Sequence, residues 1–148
     1  MVEGVPEFGE KLPGADYIFR AGGYLIVSNS RGEIAVVFTP QGFFLPGGGQ
    51  DGGETPAQAA VRETAEECGL HVQLGGLIGT ADELVFAPSE GKYYRKRCAF
   101  FRAELVECAA DGEADHQLVW LTAAQAARRL CHRSQVWAVS RASRLTKG

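Results

Sequence analysis

The chain has 148 residues, 45% of them apolar, and its 15 Lys and Arg stand against 18 Asp and Glu for a net charge of −3. That length suits one domain able to bury its own core, and the acidic balance argues against a general nucleic-acid or membrane-surface binder. No run approaches the ~18 continuous apolar residues of a membrane span, no basic-then-apolar leader is visible, and Cys68, Cys98, Cys108 and Cys131 show no C-x-x-C or metal-finger spacing, so the cysteines read as reduced thiols of a cytoplasmic protein.

Residues 1–16 are rich in Gly, Pro and Glu and read as an N-terminal arm, with Phe8 and Leu12 able to pack on the domain expected over 17–148. Tyr17 to Ser28 mixes β-branched and aromatic residues around Gly22 and Gly23. It predicts a strand with a bulge or a close approach at the glycines. Asn29 to Gly32 is a turn signal, and Glu33 to Thr39 is a second strand that would close a hairpin. Phe43 to Leu45 predicts a short strand entering a glycine-rich loop, Gly47 to Gly53.

A helix signal follows. Thr55 suits the N-cap, Pro56 the first helical position, Gln58 completes a capping box, and Gly69 suits the C-terminal stop. Beyond it, His71 to Leu74 predicts a brief strand, Leu77 to Phe86 a longer one, and Ala87 to Lys92 a loop. Tyr93 to Val106 is the strongest strand signal of the second half. Asp111 to His116 is an acidic loop, and Leu118 to Leu121 a short strand. Thr122 caps a helix reaching about Leu130, and a last helix covers Ser134 to Ala142. Strands, one helix, strands, then further helices suit an α+β domain with mixed sheets rather than repeated βαβ units.

Chemistry concentrates on the first helix. Glu63, Glu66 and Glu67 stand at i, i+3 and i+4, so all three carboxylates share one face. Like charges at these spacings cost about 0.2–0.5 kcal/mol per pair. A divalent cation with oxygen ligands would offset that repulsion, whereas the simpler reading is a solvated acidic face. The opposite face, Ala57, Val61, Thr64 and Cys68, is small and mostly apolar and can sit close against a sheet. Arg62 lies beside Glu66, where it can orient an acid without displacing a metal. A glycine loop entering a helix also offers backbone N–H groups to phosphate oxygens.

The stretch resembles the Nudix box: G, five residues, E, seven residues, then R-E-U-x-E-E-x-G-U, with U a bulky aliphatic. Gly48, Glu54, Arg62, Glu63, Glu66, Glu67, Gly69 and Leu70 fill its glycine, charged and final aliphatic positions. Thr64 departs from it, standing where Ile, Leu or Val is usual. The resemblance implies an α/β/α sandwich with mixed β-sheets and the box as a loop–helix–loop at the sheet edge. It also implies hydrolysis of a phosphoanhydride bond in a nucleoside diphosphate linked to another group X, with Mg²⁺, or Mn²⁺ in its place, as cofactor. Glu66 and Glu67 would be the leading metal ligands, with the Gly47 carbonyl as a third. Glu63 would be a further ligand or the group that orients or deprotonates water. Arg62 completes this catalytic set, and Gly48 and Glu54 support it.

A general base could also lie outside the box, where Glu113, Asp115 and His116 are candidates and Glu83 and Glu90 more remote ones. His116 alone titrates near neutral pH without perturbation. Arg95, Lys96 and Arg97 are either an exposed strand end or a positive wall for phosphates; Arg95, Arg97 and Tyr94 are the candidate substrate contacts. Secondary motifs that mark several substrate subfamilies are missing, so the partner is expected to be a small nucleotide of unspecified kind, with no membrane and no nucleic acid. A homodimer is compatible with the sequence. The alternative function is a Nudix-fold module that binds a nucleotide metabolite without turning it over.

Overall fold

Alternation along the strands sets up two apolar faces. The computed structural model describes residues 4–108 and 112–147, without the side chains of the last two. Asp111, which opens the expected acidic loop, and residues 1–3 of the arm lie outside the described residues. The strands are β1 (Glu7–Phe8), β2 (Tyr17–Ser28), β3 (Ile34–Thr39), β4 (Gly42–Phe44), β5 (Gly47–Gly49), β6 (Leu70–Ala87), β7 (Lys92–Cys108) and β8 (Gln117–Leu121). The helices are α1 (Pro56–Cys68), α2 (Ala123–Arg129) and α3 (Arg133–Lys147). In β2, Leu25 and Val27 enter one core cluster with Ala60 and Cys68 of α1. Ile26 between them enters another, with Ala138, Val139 and Ala142 of α3. In β3, Ala35 and Val37 join the first cluster and Ile34 and Val36 the second. The sheet is therefore covered by α1 on one side and by α2 and α3 on the other, an α+β domain of the α/β/α sandwich type.

Strand order is β1-β6-β7-β2-β3-β4, with β5 added to β2 and β8 to β3. Pairing is mixed: β2–β7 and β1–β6 are parallel, whereas β6–β7, β2–β5 and β3–β8 are antiparallel. The glycine loop starts as a strand, since Gly47, Gly48 and Gly49 pair with Tyr24, Gly23 and Gly22. Asn29 Oδ1 accepts from the N–H groups of Arg31 and Glu33 and forms the β2–β3 turn. The hairpin pairs in register only at Ser28–Ile34; β3 then leaves β2 to pair with β8 and β4. The two strands expected over 71–86 are one, β6, whose register against β7 shifts between Leu74 and Leu77, where Gly75 and Gly76 stand. Glycines without a side chain to pack suit such a bulge. The last helix runs beyond Ala142 because nothing in Ser143 to Lys147 is a glycine or proline that would stop it. In the arm, Glu7 and Phe8 pair with Asp82 and Glu83, and the Phe8 ring packs 6.3 Å from Trp137.

Helix α1 has the expected ends. Thr55 accepts from the Gln58 N–H, Gln58 returns a bond to the Thr55 N–H, and Gly69 closes the helix in the left-handed region at φ 67°. Its buried side is turned from the expected one: Ala59, Ala60, Thr64 and Cys68 are buried, while Ala57 and Val61 are half-exposed. Gly23 explains the close approach, because a Cβ there would stand 1.8 Å from the Pro56 carbonyl oxygen and 3.0 Å from the Ala60 Cβ. Thr64 is fully buried and its hydroxyl has no hydrogen-bond partner. An unsatisfied buried polar group costs about 1–3 kcal/mol, and valine has the same shape without it. Thr64→Val is therefore expected to stabilise by about 1 kcal/mol, raising Tm by about 2–4 °C in a thermal melt. An unchanged or lower Tm would mean that the hydroxyl is satisfied.

Candidate active site

The box carboxylates sit beside β5, which a six-residue loop, 50–55, joins to α1. Gly48 faces Glu63 so closely that a Cβ would stand 2.8 Å from the Glu63 carboxyl carbon, so only glycine leaves that carboxylate its place. The Gly47 N–H donates to Glu67 Oε1 at 3.0 Å. Glu67 is 15% exposed, Glu63 24% and Glu66 54%. Glu63 and Glu67 line an open groove of about 790 Å³ that also takes in Gly47, Gly48, Tyr24 and Lys96. Glu66 points away from that lining and bonds to Arg62.

Burial pushes the Glu67 carboxyl up to about 7; the Gly47 N–H pulls it down, the Glu63 charge raises it further, and His116 lowers it. Burial likewise raises the Tyr24 hydroxyl, with help from Cys98, Glu67 and Glu63. Arg62 ties the box together. Its Nε and Nη2 hold both oxygens of Glu54 at 2.7 and 2.9 Å, its Nη1 bonds to Glu63 at 3.0 Å and Glu66 at 3.2 Å, and its Nη2 also reaches the Gly49 carbonyl at 3.2 Å. The Arg62 hydrogen bond, then the Asp51 N–H, hold Glu54 down at about 2. Arg62 in turn is held protonated, chiefly by Glu54.

Among the outside candidates, His116 comes closest to the box. Its Nε2 lies 3.6 Å from Glu67 Oε2, and its Nδ1 lies 2.8 Å from Asp115 Oδ1. Burial alone would lower its pKa, but the Asp115 hydrogen bond and the charges of Glu67, Asp115 and Glu113 together raise it. The Glu113 N–H donates to the Glu67 main-chain carbonyl at 3.1 Å, which docks this loop on the end of α1. Oxygen and nitrogen ligand atoms of Glu113, Asp115 and His116 lie within 4.8 Å of one another. Glu83 stands apart, bonded to the Ser134 N–H, and Glu90 accepts from the Tyr94 hydroxyl.

The positive trio divides. Arg97 grips the buried Asp82 with two bonds of 2.9 Å, and Arg95 bonds to Asp82 at 3.1 Å and to Glu7 at 2.6 Å. Strand alternation turns Lys96 to the other face, where it lines the groove. Tyr94 is buried, its hydroxyl 2.6 Å from Glu90. Phe44 and His132, in edge contact at 5.1 Å, also line the groove. They lie far apart in the chain and carry no motif, so no local signal marks them.

Two layers of helices on a mixed sheet, with a loop–helix–loop at its edge, define the class of fold. The family model of the NUDIX domain matches residues 18–141, and the chain belongs to that family. Solved structures agree in fold. A MutT protein from Methanosarcina mazei Go1 superposes with a TM-score of 0.72 at 16% identity, covering 91% of this chain and 100% of that one. The dihydroneopterin triphosphate pyrophosphohydrolase of E. coli gives 0.66 at 18% identity, covering 82% and 94%. Curated relatives match over a shorter span. Diphosphoinositol polyphosphate phosphohydrolase 3-beta of Bos taurus is 41% identical over 59 residues, 40% of this chain and 32% of that protein. Diphosphoinositol polyphosphate phosphohydrolase 2 of Mus musculus is 44% identical over 55 residues, 37% and 27%. The aligned stretch is thus about a third of the length of these relatives. Among the described residues, no helix is long and apolar enough to cross a membrane.

Proposed function

We propose that the protein is a Mg²⁺-dependent hydrolase that cleaves the phosphoanhydride bond of a nucleoside diphosphate linked to another group. The observation that carries this reading is Glu67: a half-buried carboxyl fixed by the Gly47 N–H and set beside Glu63 on an open groove. A carboxylate so placed gains most from a cation. The donors are all oxygen, from Glu63, Glu67 and the Gly47 main chain, with Glu66 one turn away, which suits a hard divalent ion. Such an ion, when bound, supplies charge neutralisation at the phosphate oxygens. Arg62 and Glu54 hold α1 and its carboxylates in place, and His116 orients Glu67. Water attacks a phosphorus and the bridging P–O bond breaks; Glu63 serves either as a further ligand or as the group that orients the water and takes its proton.

The test is a phosphate-release screen with Mg²⁺ over nucleoside triphosphates, ADP-ribose, nucleotide sugars and dinucleoside polyphosphates. A diphosphoinositol polyphosphate belongs in it too, because the curated relatives carry that substrate in their names. Turnover of at least one compound is expected. Turnover of none would favour a module that binds a nucleotide metabolite.

Metal binding is expected to depend on pH through Glu67. Its carboxyl, raised to about 7, carries a proton at lower pH that the metal must displace. Mn²⁺ or Mg²⁺ affinity measured by calorimetry should fall by about tenfold per pH unit below 7 and level off above it, the slope of one proton. The same shift makes the metal-free protein lose stability as pH rises through 7, because the folded state holds the proton more tightly than the unfolded chain. Affinity that stays flat from pH 6 to 8 would remove Glu67 from the ligand set.

A further inference from the structure

A second cavity, of about 310 Å³, opens beside the groove and shares Tyr24, Gly49 and Lys96 with it. A ligand held at Glu63 and Glu67 can therefore extend into it. Its floor is made where β2 and β7 place small residues in register, Gly22 beside Cys98. Next along the strands, Arg20 lies in register with Lys96, and both face the cavity. Like charges directly opposite on neighbouring strands are destabilising. The neighbouring carboxylates do not pair with them within ion-pair distance. Glu83 is the β6 neighbour of Lys96, yet its Oε1 accepts from the Ser134 N–H at 2.8 Å. Glu90 also lines the cavity, where its carboxylate accepts from the Tyr94 hydroxyl at 2.6 Å. Arg97 also reaches the cavity, but Asp82 neutralises it. No described carboxylate forms an ion pair with Arg20 or Lys96. Arg20 rests over the Tyr94 ring at 5.5 Å, and both side chains line the cavity.

We propose that Arg20 and Lys96 form an anion subsite that receives a phosphate group of the substrate beyond the two of the scissile anhydride. This rests on the hydrolase reading above and narrows it. The favoured substrates carry three or more phosphates, in a chain or clustered on a ring, and two-phosphate compounds such as nucleotide sugars leave the subsite empty.

Binding can be read without turnover. Inorganic tripolyphosphate is titrated calorimetrically into the metal-free protein, with circular dichroism as a check on folding. Arg20→Met and Lys96→Met should each weaken its binding by about tenfold or more, the loss of one charge-assisted contact. Lys96→Arg should restore most of it, and Arg31→Met, on the exposed β2–β3 turn, should leave it unchanged. Equal losses in Arg31→Met, or none in Arg20→Met and Lys96→Met, would overturn the subsite; should Lys96→Met not fold, Arg20→Met, on the exposed part of β2, decides. In kinetics, the ratio of kcat/KM for a nucleoside triphosphate to that for ADP-ribose should fall about tenfold in Lys96→Met; an unchanged ratio counts against the proposal. Tripolyphosphate binding that depends on Lys96 in a protein that turns nothing over would sink the hydrolase reading and leave the subsite standing. Turnover with no preference for a third phosphate would do the reverse.

Discussion

Glu67→Gln is expected to reduce turnover by about 10²–10⁴-fold, the scale of losing a group that acts in the transition state, while the protein stays folded. The substitution keeps the size and one accepting oxygen, so the 3.0 Å bond from the Gly47 N–H survives. It removes the negative charge, and with it the attraction for a divalent ion and the contact with the His116 ring at 3.6 Å. Stability should not fall. A carboxyl whose pKa burial raises to about 7 is strained when ionised, and a neutral amide avoids that. The informative pair of measurements is therefore activity beside a thermal melt at pH 8. Full activity in Glu67→Gln would sink the assignment of this carboxylate to the metal.

Arg62→Ala should produce the second large effect, by a different route. The guanidinium bonds to Glu54, Glu63, Glu66 and the Gly49 carbonyl at once. Without it, Glu63 and Glu66 lose their common cation and the loop before α1 loses its anchor. Kcat is expected to fall by about 10–100-fold, the usual result of removing an outer partner that orients metal-binding side chains. Arg62→Lys keeps the charge but cannot hold both oxygens of Glu54 while reaching Glu63 and Glu66, so it should recover little of the loss. Glu54→Gln should behave as a milder form of Arg62→Ala. Recovery of wild-type kcat by Arg62→Lys would show that charge alone matters and that the fork geometry does not.

The helix that carries these residues was legible because its signals are local. Thr55, Pro56, Gln58 and Gly69 each act within one turn of a helix end, and all take the expected positions. Strand β2 was legible for the same reason, and the close approach expected at Gly22 and Gly23 occurs where β5 and α1 meet it. Periodicity predicted less well which side of α1 is buried. The buried stripe is set by where Gly23 lets α1 approach, and no property of the helix alone reports that. Gaps in β6 suggested two strands because a bulge at Gly75 and Gly76 interrupts alternation without ending the pairing with β7.

Glu63, Glu66 and Glu67 share a helical face in any chain with this spacing, and so much the sequence by itself determined. Only the tertiary structure decided that Glu67 is half-buried and bonded to the Gly47 N–H, that Glu63 faces the groove, and that Glu66 turns toward Arg62 and solvent. In the same way, alternation requires Lys96 to oppose Arg95 and Arg97. It took β6 and β1 to supply Asp82 and Glu7 as partners for the arginines and to leave the lysine in the groove. The division has a physical cause. Helix caps and side-chain periods depend on neighbours a few residues away, whereas burial, ion pairing and a shifted pKa depend on strands that meet only when the sheet has formed.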